Sequence, residues 1–217
     1  MYKTVIFDLD GTLSESGEGI MRCVQHALRH FGIEVTDEDE LRQFIGPPPI
    51  ELFRRKYGMS PEQADEAMEV FRTRFRAKGI YENKPYPGTT ELLEKLKAAG
   101  VALAVATSKP QPFMENIVER YGWRNLFDMV AGSEFDGTRG SKTEVLAYVV
   151  EKLGIPADKK RWVAMVGDRK YDMLAAKSCG VTAVGVRYGY ADPGELEAAG
   201  ADVIADTVPQ LLDCLLK

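Results

Sequence analysis

Two aspartates, Asp8 and Asp10, follow a short apolar run near the start of the chain. Residues 3–7 are rich in β-branched and aromatic types, which favours a strand, and Gly11 ends the run. Side chains alternate along a strand, so acids two residues apart lie on the same side. Their repulsion lets one ionise while its neighbour holds a proton. The pair suits a nucleophile beside a general acid, a hard divalent cation, or two merely solvated acids at a strand end.

Thr107 and Ser108 follow a second predicted strand at residues 101–106. Their hydroxyls and backbone N–H groups are suitable donors for a phosphate oxygen. They are also suitable caps for the helix predicted to begin at Pro110. Both roles are compatible with this sequence.

Lys142 lies in the first turn of a predicted helix, because Ser141 and Glu144 form a capping-box pattern. A cation is unfavourable at this end of the helix dipole. Helix N-termini bind phosphates, so the position of Lys142 indicates that it meets an anion.

Gly167, Asp168 and Asp172 follow a further predicted strand at residues 162–167. Together with the first two aspartates they place four carboxylates at one sheet edge, where their repulsion would destabilise the fold unless a cation neutralised it. No Cys or His lies near these motifs. Carboxylate ligands therefore favour magnesium (Mg2+) over zinc.

The elements that position these residues fall into two regions. Residues 15–82 show helical periodicity alone, whereas strands and helices alternate from Thr89 onward. Alternation predicts a parallel sheet covered on both faces. The strand at residues 3–8 belongs to that sheet, so the helical block is an insertion that acts as a lid. The predicted domains are an α/β core, residues 1–14 and 83–217, and a helical cap, residues 15–82.

The predicted helices span residues 19–31, 36–44, 50–57, 61–78, 89–99, 110–121, 141–153, 171–179 and 208–216. The remaining predicted strands span residues 127–131, 181–186 and 202–205.

Composition narrows the function classes. The chain is 45% hydrophobic and 28% charged, which is ordinary for a globular protein, and its net charge of -5 gives no basic surface for a nucleic acid polymer. Cys23, Cys179 and Cys214 are too widely spaced for a disulfide framework or a zinc site. Asp8 interrupts the first apolar run, so we expect no signal peptide, no membrane partner and a cytoplasmic location. No pattern indicates an oligomeric state.

Four ordered motifs resemble those of the haloacid dehalogenase-like (HAD) hydrolase superfamily. They are Asp8-Leu-Asp10-Gly-Thr12, then Thr107, then Lys142, then Gly167-Asp168-x-x-x-Asp172. The resemblance covers essentially the whole chain and implies a Rossmann-like α/β core with a parallel sheet and an inserted all-α C1 cap.

Within the superfamily the chain resembles the phosphoglycolate phosphatase-like branch. The stretch at residues 136–142 and Gly46-Pro47-Pro48 resemble a 5′-nucleotidase-like subgroup. Phosphoglycolate phosphatases and hexose-phosphate mutases have Pro-x-Pro after the lysine, whereas residues 143–145 here are Thr-Glu-Val.

The resemblance also implies roles. Asp8 attacks phosphorus, Asp10 acts as general acid and then base, and Thr107 and Lys142 neutralise the phosphoryl oxygens of a small phosphorylated metabolite. Mg2+ is held by the Asp8 carboxylate, the Asp10 backbone carbonyl and Asp168, with Asp172 behind them. The implied substrate-binding residues are Gly11, Thr12, Gly46, Pro47, Ser108, Lys109 and Arg139.

Three other activities use related chemistry. A dehalogenase shares the nucleophile but needs no second acid to protonate an alkoxide, so Asp10 argues against it. A phospho-aspartate signalling module would lack the helical block. A phosphomutase acting on a sugar phosphate would share the whole core.

Overall fold

The computed structural model describes residues 1–217, which divide into two compact units. One unit comprises Met1–Ser14 and Pro85–Lys217, and the other comprises Glu15–Lys84. The strands are β1 (Thr4–Phe7), β2 (Ser14–Glu15), β3 (Lys84–Pro85), β4 (Ala102–Pro110), β5 (Met129–Ser133), β6 (Val163–Gly167), β7 (Thr182–Val186) and β8 (Val203–Ala205). Strands β2 and β3 pair with each other where the chain passes from one unit to the other.

The first unit is built on a six-stranded parallel sheet, which confirms the predicted α/β fold. The strand order is β5-β4-β1-β6-β7-β8, so β1 lies in the interior of the sheet between β4 and β6. Around it are the helices α5 (Thr89–Ala98), α6 (Gln111–Arg120), α7 (Lys142–Lys152), α8 (Lys170–Cys179), α9 (Glu195–Ala198) and α10 (Val208–Leu216). Consecutive residues of β1 and β6 are buried because both faces of the sheet are covered.

Helices α7 and α8 cover one face of the sheet. Val145 and Val149 of α7 and Met173 of α8 belong to the same buried cluster as Ile6 of β1 and Met165 of β6. This packing fixes both helices against the strands whose carboxyl ends carry the aspartates. The first residues of α7 and α8 are therefore placed by the core itself.

The second unit contains the four helices α1 (Gly17–His30), α2 (Glu38–Arg42), α3 (Pro49–Tyr57) and α4 (Pro61–Ala77). The predicted capping box at Ser60 and Gln63 opens α4. Helix α1 approaches the 79–82 turn closely, since a Cβ on Gly19 would lie 2.5 Å from the Gly79 carbonyl oxygen. No helix of the protein combines the length and the apolar character needed to span a bilayer.

Most predicted elements are present, but several boundaries were wrong. The second helix, predicted at 36–44, is confined to α2, and it begins at Glu38 because the Asp37 side chain caps it by accepting a hydrogen bond from Asp39 N. Strand β4 runs four residues beyond its predicted end, with an irregular register on β5 between Ala106 and Pro110. The short helix α9 was not predicted, since four residues carry no measurable periodicity.

Candidate active site

The aspartates gather at the carboxyl ends of the neighbouring strands β1 and β6. The two strands pair in register up to Phe7 and Val166, and Asp8 N donates to the Val166 carbonyl. Asp8, Asp10, Asp168 and Asp172 are all buried. The expected convergence of four carboxylates at one sheet edge is therefore present in the fold.

Lys142 lies among these acids. Its Nζ is 2.6 Å from Asp8 Oδ1 and 3.0 Å from Asp172 Oδ1, and it donates to the Ala106 carbonyl. The side chains of Lys142 and Asp8 are only 6% and 5% exposed. Burial acts to lower the pKa of Lys142, but the charges of Asp172 and Asp8 outweigh it and raise that pKa. Lys142 is therefore a permanent cation, and the anions it meets at the start of α7 are carboxylates.

Asp10 forms an ion pair with a second lysine, Lys109. Lys109 Nζ lies 2.6 Å from Asp10 Oδ2, with side chains 5% and 11% exposed. Asp10 Oδ1 is buried and has no hydrogen-bond partner. The two aspartates of the first motif are thus held by different cations, from α7 and from the end of β4.

Asp168 is fully buried, and both of its carboxylate oxygens accept hydrogen bonds. Tyr190 N donates to its Oδ2 at 2.8 Å, and Thr12 Oγ1 donates to its Oδ1 at 3.3 Å. A Cβ on Gly11 would lie 2.1 Å from Oδ2, and one on Gly189 would lie 2.3 Å from the Asp168 Cβ. Burial raises the pKa of Asp168 well above its usual value, and the charges of Asp172 and Asp8 add to this.

Asp172 lies in the first turn of α8. Its Oδ2 accepts a hydrogen bond from Arg169 N, and a Cβ on Gly167 would lie 2.1 Å from its Cγ. Burial raises the pKa of Asp172 to about 6, with Asp8 adding to the shift and Lys142 opposing it. The positive charge of Lys142 therefore does not fully compensate for the burial of the Asp172 carboxylate near Asp8.

The carboxylates have the composition of a site for a hard cation. One oxygen from each of Asp8, Asp168 and Asp172 lies within 4.8 Å of the others, and all three residues are buried. Oxygen donors without Cys or His fit Mg2+. Burial and, after it, repulsion from neighbouring carboxylates raise the pKa of Asp168 and Asp172, and a divalent cation would offset both effects.

A family model described as haloacid dehalogenase-like hydrolase matches residues 5–186. The chain belongs to this family. A 5′-nucleotidase from Pseudomonas aeruginosa is 42% identical over 197 residues, covering 91% of this chain and 88% of the relative. Tyrosine-protein kinase PtkA from Mycobacterium tuberculosis is 38% identical over 213 residues, covering 97% of this chain and 72% of the relative.

Two further HAD relatives match along nearly the whole chain. A phosphoglycolate phosphatase from Vibrio vulnificus is 32% identical over 222 residues, covering 99% of this chain and 96% of the relative. The crystal structure of a predicted phosphatase from Clostridium acetobutylicum superimposes with a TM-score of 0.94 at 40% identity, covering 100% of this chain and 99% of that one. With this family and these relatives, the chain is an enzyme of the phosphoric monoester hydrolase class.

Thr107 is buried beyond the centre of β4. Its Oγ1 accepts a hydrogen bond from Lys109 N, and the Ser108 carbonyl accepts one from Ser133 Oγ. Helix α6 begins after Pro110 and has no side-chain cap. The alternative prediction, in which Thr107 and Ser108 cap this helix, is wrong because β4 continues through both residues.

The Arg139 side chain contacts residues close to it in the sequence. Its guanidinium contacts Glu134, donates to the Gly132 carbonyl at 3.1 Å and lies 4.5 Å from the centre of the Tyr148 ring. The residue has a φ of 55°, an unusual conformation for a non-glycine. The part of Arg139 in substrate binding stays a prediction.

Sequence reasoning missed the segment at residues 187–195 that follows β7. Tyr188 Oη donates to the Thr12 carbonyl at 3.1 Å, and Tyr190 N reaches Asp168. Glu195 accepts hydrogen bonds from Lys170 N at 2.7 Å and from Arg169 Nε at 2.9 Å, at the start of α8. A signal was available, since Tyr-Gly-Tyr at 188–190 follows a predicted parallel strand whose carboxyl end lies at the edge that carries the aspartates.

Proposed function

We propose that the chain hydrolyses small phosphomonoesters through an aspartyl-phosphate on Asp8, with Mg2+ as cofactor. The observation that carries the proposal is the pair of buried contacts Asp8–Lys142 and Asp10–Lys109, each 2.6 Å long. They hold two neighbouring carboxylates in different surroundings. Two aspartates can act as nucleophile and as general acid only if their surroundings differ, and these two contacts supply that difference.

Asp8 is the nucleophile in this mechanism. Its Oδ1 accepts from Lys142 Nζ at 2.6 Å and from Leu9 N at 2.7 Å, which leaves Oδ2 to attack phosphorus. As the new P–O bond forms, the bond from phosphorus to the leaving oxygen breaks. Lys142 and Thr107 stabilise the charge on the phosphoryl oxygens, since charge stabilisation and positioning dominate phosphoryl transfer.

Asp10 moves the proton in both steps. In the first step its carboxyl group gives a proton to the leaving oxygen, so that an alcohol departs instead of an alkoxide. In the second step the resulting carboxylate takes a proton from water, which attacks the phosphorus of the aspartyl-phosphate. Inorganic phosphate leaves, and Asp8 and the protonated Asp10 are regenerated.

The residues proposed to hold Mg2+ are Asp8, the Asp10 backbone carbonyl and Asp168, with Asp172 supporting them. When bound, Mg2+ supplies positive charge to the phosphoryl oxygens. The Thr12 hydroxyl and Tyr190 N each fix one oxygen of Asp168. Residues that orient a ligand in this way typically change metal affinity or activity 10–100-fold when they are replaced.

We infer that nucleoside 5′-monophosphates are the preferred substrates. The 5′-nucleotidase relative, at 42% identity, supports this choice over the phosphoglycolate phosphatase, at 32%. The sequence Thr143-Glu144-Val145 after the active-site lysine also departs from the Pro-x-Pro of phosphoglycolate phosphatases.

The test is phosphate release from a panel of nucleoside monophosphates, phosphoglycolate and hexose phosphates in Mg2+. We expect a nucleoside 5′-monophosphate to have the highest kcat/KM, by about tenfold or more, a difference within the range that pocket contacts supply. Phosphoglycolate in first place would contradict the substrate assignment. Isomerised hexose phosphate without phosphate release would indicate a mutase, and transfer from ATP to a tyrosine peptide would indicate the kinase activity named for the PtkA relative.

We further propose that the helical unit, Glu15–Lys84, is the cap and determines which ester is used. Gly46 has a φ of 108°, and Pro47 and Pro48 precede Pro49 at the first position of α3, so this segment has little conformational freedom. Pro47→Ala should change the ratio of kcat/KM between a nucleotide and an aryl phosphate by roughly 1–3 kcal/mol, the scale of one lost contact.

Pro61→Ala is the control, because Pro61 is a proline of the same unit that lies outside this segment, at the first position of α4. It should alter thermal stability without altering the ratio. Equal losses on both substrates for Pro47→Ala would remove this segment from the specificity assignment.

A further inference from the structure

The two oxygens of Asp10 have different surroundings. Oδ2 lies 2.6 Å from the ammonium of Lys109, whereas Oδ1 is buried without any hydrogen-bond partner. A buried polar atom without a partner is costly and uncommon in a folded protein. The arrangement therefore marks Oδ1 as the oxygen that meets a group arriving from outside the chain.

Lys109 is held in place by the irregular end of β4. Its N–H donates to Thr107 Oγ1 at 3.3 Å, and its carbonyl oxygen would lie 2.4 Å from a Cβ on Gly132 of β5. The Gly132 N–H in turn donates to the Gln111 side chain at 2.7 Å. Backbone contacts with two neighbours thus fix the residue, in contrast to a flexible surface lysine.

An ammonium only donates hydrogen bonds, so the carboxyl oxygen that faces it must accept. Lys109 therefore occupies Oδ2, which leaves Oδ1 as the oxygen of Asp10 that can hydrogen-bond to a substrate. We propose that Lys109 is a positioning residue that turns Asp10 so that Oδ1 faces the leaving oxygen. The proposal rests on the proposed role of Asp10 as general acid. It differs from the expectation that Lys109 is a substrate-binding residue, for instance as a ligand of the phosphoryl group.

These two roles of Lys109 differ in how the rate depends on the leaving group. A phosphoryl ligand serves every ester alike, so its loss depresses all substrates equally. A residue that positions the acid matters only where the leaving oxygen needs a proton. The alkoxide released from an alkyl ester such as a nucleotide needs a proton, whereas the nitrophenolate released from an aryl ester leaves without a proton.

The experiment compares kcat for a nucleoside 5′-monophosphate and for p-nitrophenyl phosphate at saturating Mg2+ in Lys109→Met. We expect kcat for the nucleotide to fall about 100-fold, the lower range of a general acid's contribution, and kcat for nitrophenyl phosphate to fall less than about threefold. Lys109→Arg keeps a cation beside Asp10 and should restore most of the ratio. Circular dichroism checks folding, and Lys109→Gln replaces the methionine variant if that variant is unfolded.

Two reference variants separate the possible outcomes. Lys97→Met removes a lysine whose Nζ is 2.7 Å from Asp128 on the surface of the same unit, and it should change neither rate. Asp10→Asn should show the same leaving-group dependence as Lys109→Met. If only Asp10→Asn discriminates between the substrates, the positioning role of Lys109 is wrong. If neither variant discriminates, Asp10 is not the acid and the proposed mechanism itself fails.

Discussion

Asp8→Asn should lower turnover by about 10⁴-fold or more, the scale of loss when a nucleophile that forms a covalent intermediate is removed. An amide does not attack phosphorus, yet it has nearly the shape of the carboxylate. The introduced amide retains an oxygen that can accept from Lys142 and Leu9 N. Lys142 also retains Asp172 as a counter-ion at 3.0 Å. We therefore expect the variant to fold, with a modest loss of thermal stability.

The covalent step can be observed directly by intact-mass spectrometry during turnover. Asp10→Asn lacks the base for the second step, so it should accumulate a phosphoryl group on Asp8 when an activated aryl phosphate is supplied. The double variant with Asp8→Asn should not be labelled. Turnover of Asp8→Asn within tenfold of wild type, or labelling of the double variant, would disprove the aspartyl-phosphate mechanism.

Asp168→Asn should separate stability from metal binding. The folded-state pKa of Asp172 is about 6, and that of Asp168 is also raised, whereas an aspartate in the unfolded chain titrates near 3.9. The neutral forms of both residues therefore favour the metal-free fold. The contribution of Asp172 to stability is complete below about pH 4 and is lost as pH rises through about 6, and the contribution of Asp168 is likewise lost as pH rises through its own raised pKa. For Asp172 the shift corresponds to roughly 3 kcal/mol.

Thermal unfolding in chelator and in Mg2+, at about pH 5 and about pH 7.5, measures these effects. Metal-free wild type should lose stability between the two pH values, and Mg2+ should raise Tm more at the higher pH, where the Asp172 carboxyl group ionises. Asp168→Asn should be more stable than wild type in chelator at the higher pH, inactive, and insensitive to Mg2+. Glu197→Gln, in an exposed ion pair with Arg187, is the control and should respond to Mg2+ as wild type does. A wild-type Tm increase in Asp168→Asn would exclude Asp168 from the metal site.

The convergence of Asp8, Lys142 and Asp168 was predictable from the sequence because it depends on a simple rule. Residues that follow parallel strands meet at one edge of a sheet, whatever the distance between them along the chain. The start of α7 was equally predictable, because the capping box at Ser141 and Glu144 is a local pattern and the structure contains it. To predict these features it is enough to know where the strands end and where the helices begin.

The partner of Asp10 was not predictable in this way. Lys109 reaches Asp10 because β4 continues past Ala106 with an irregular register on β5, and an irregular register leaves no periodic pattern. The contacts of Glu195 with the start of α8 depend on a loop and a four-residue helix. Tertiary packing, which single-sequence patterns do not report, decided both.

The interior position of β1 has a consequence for how the protein assembles. Thr4 pairs with Ala102 on one side and with Val163 on the other, so the strand before Asp8 gains both neighbours only after long loops have closed. Contacts so distant along the chain slow folding, because loop-closure entropy is lost before they form. Helices α1 to α4 belong to one continuous segment, Glu15–Lys84, and need no such closure. Asp8, the proposed nucleophile, thus follows a strand that is among the last to be completed.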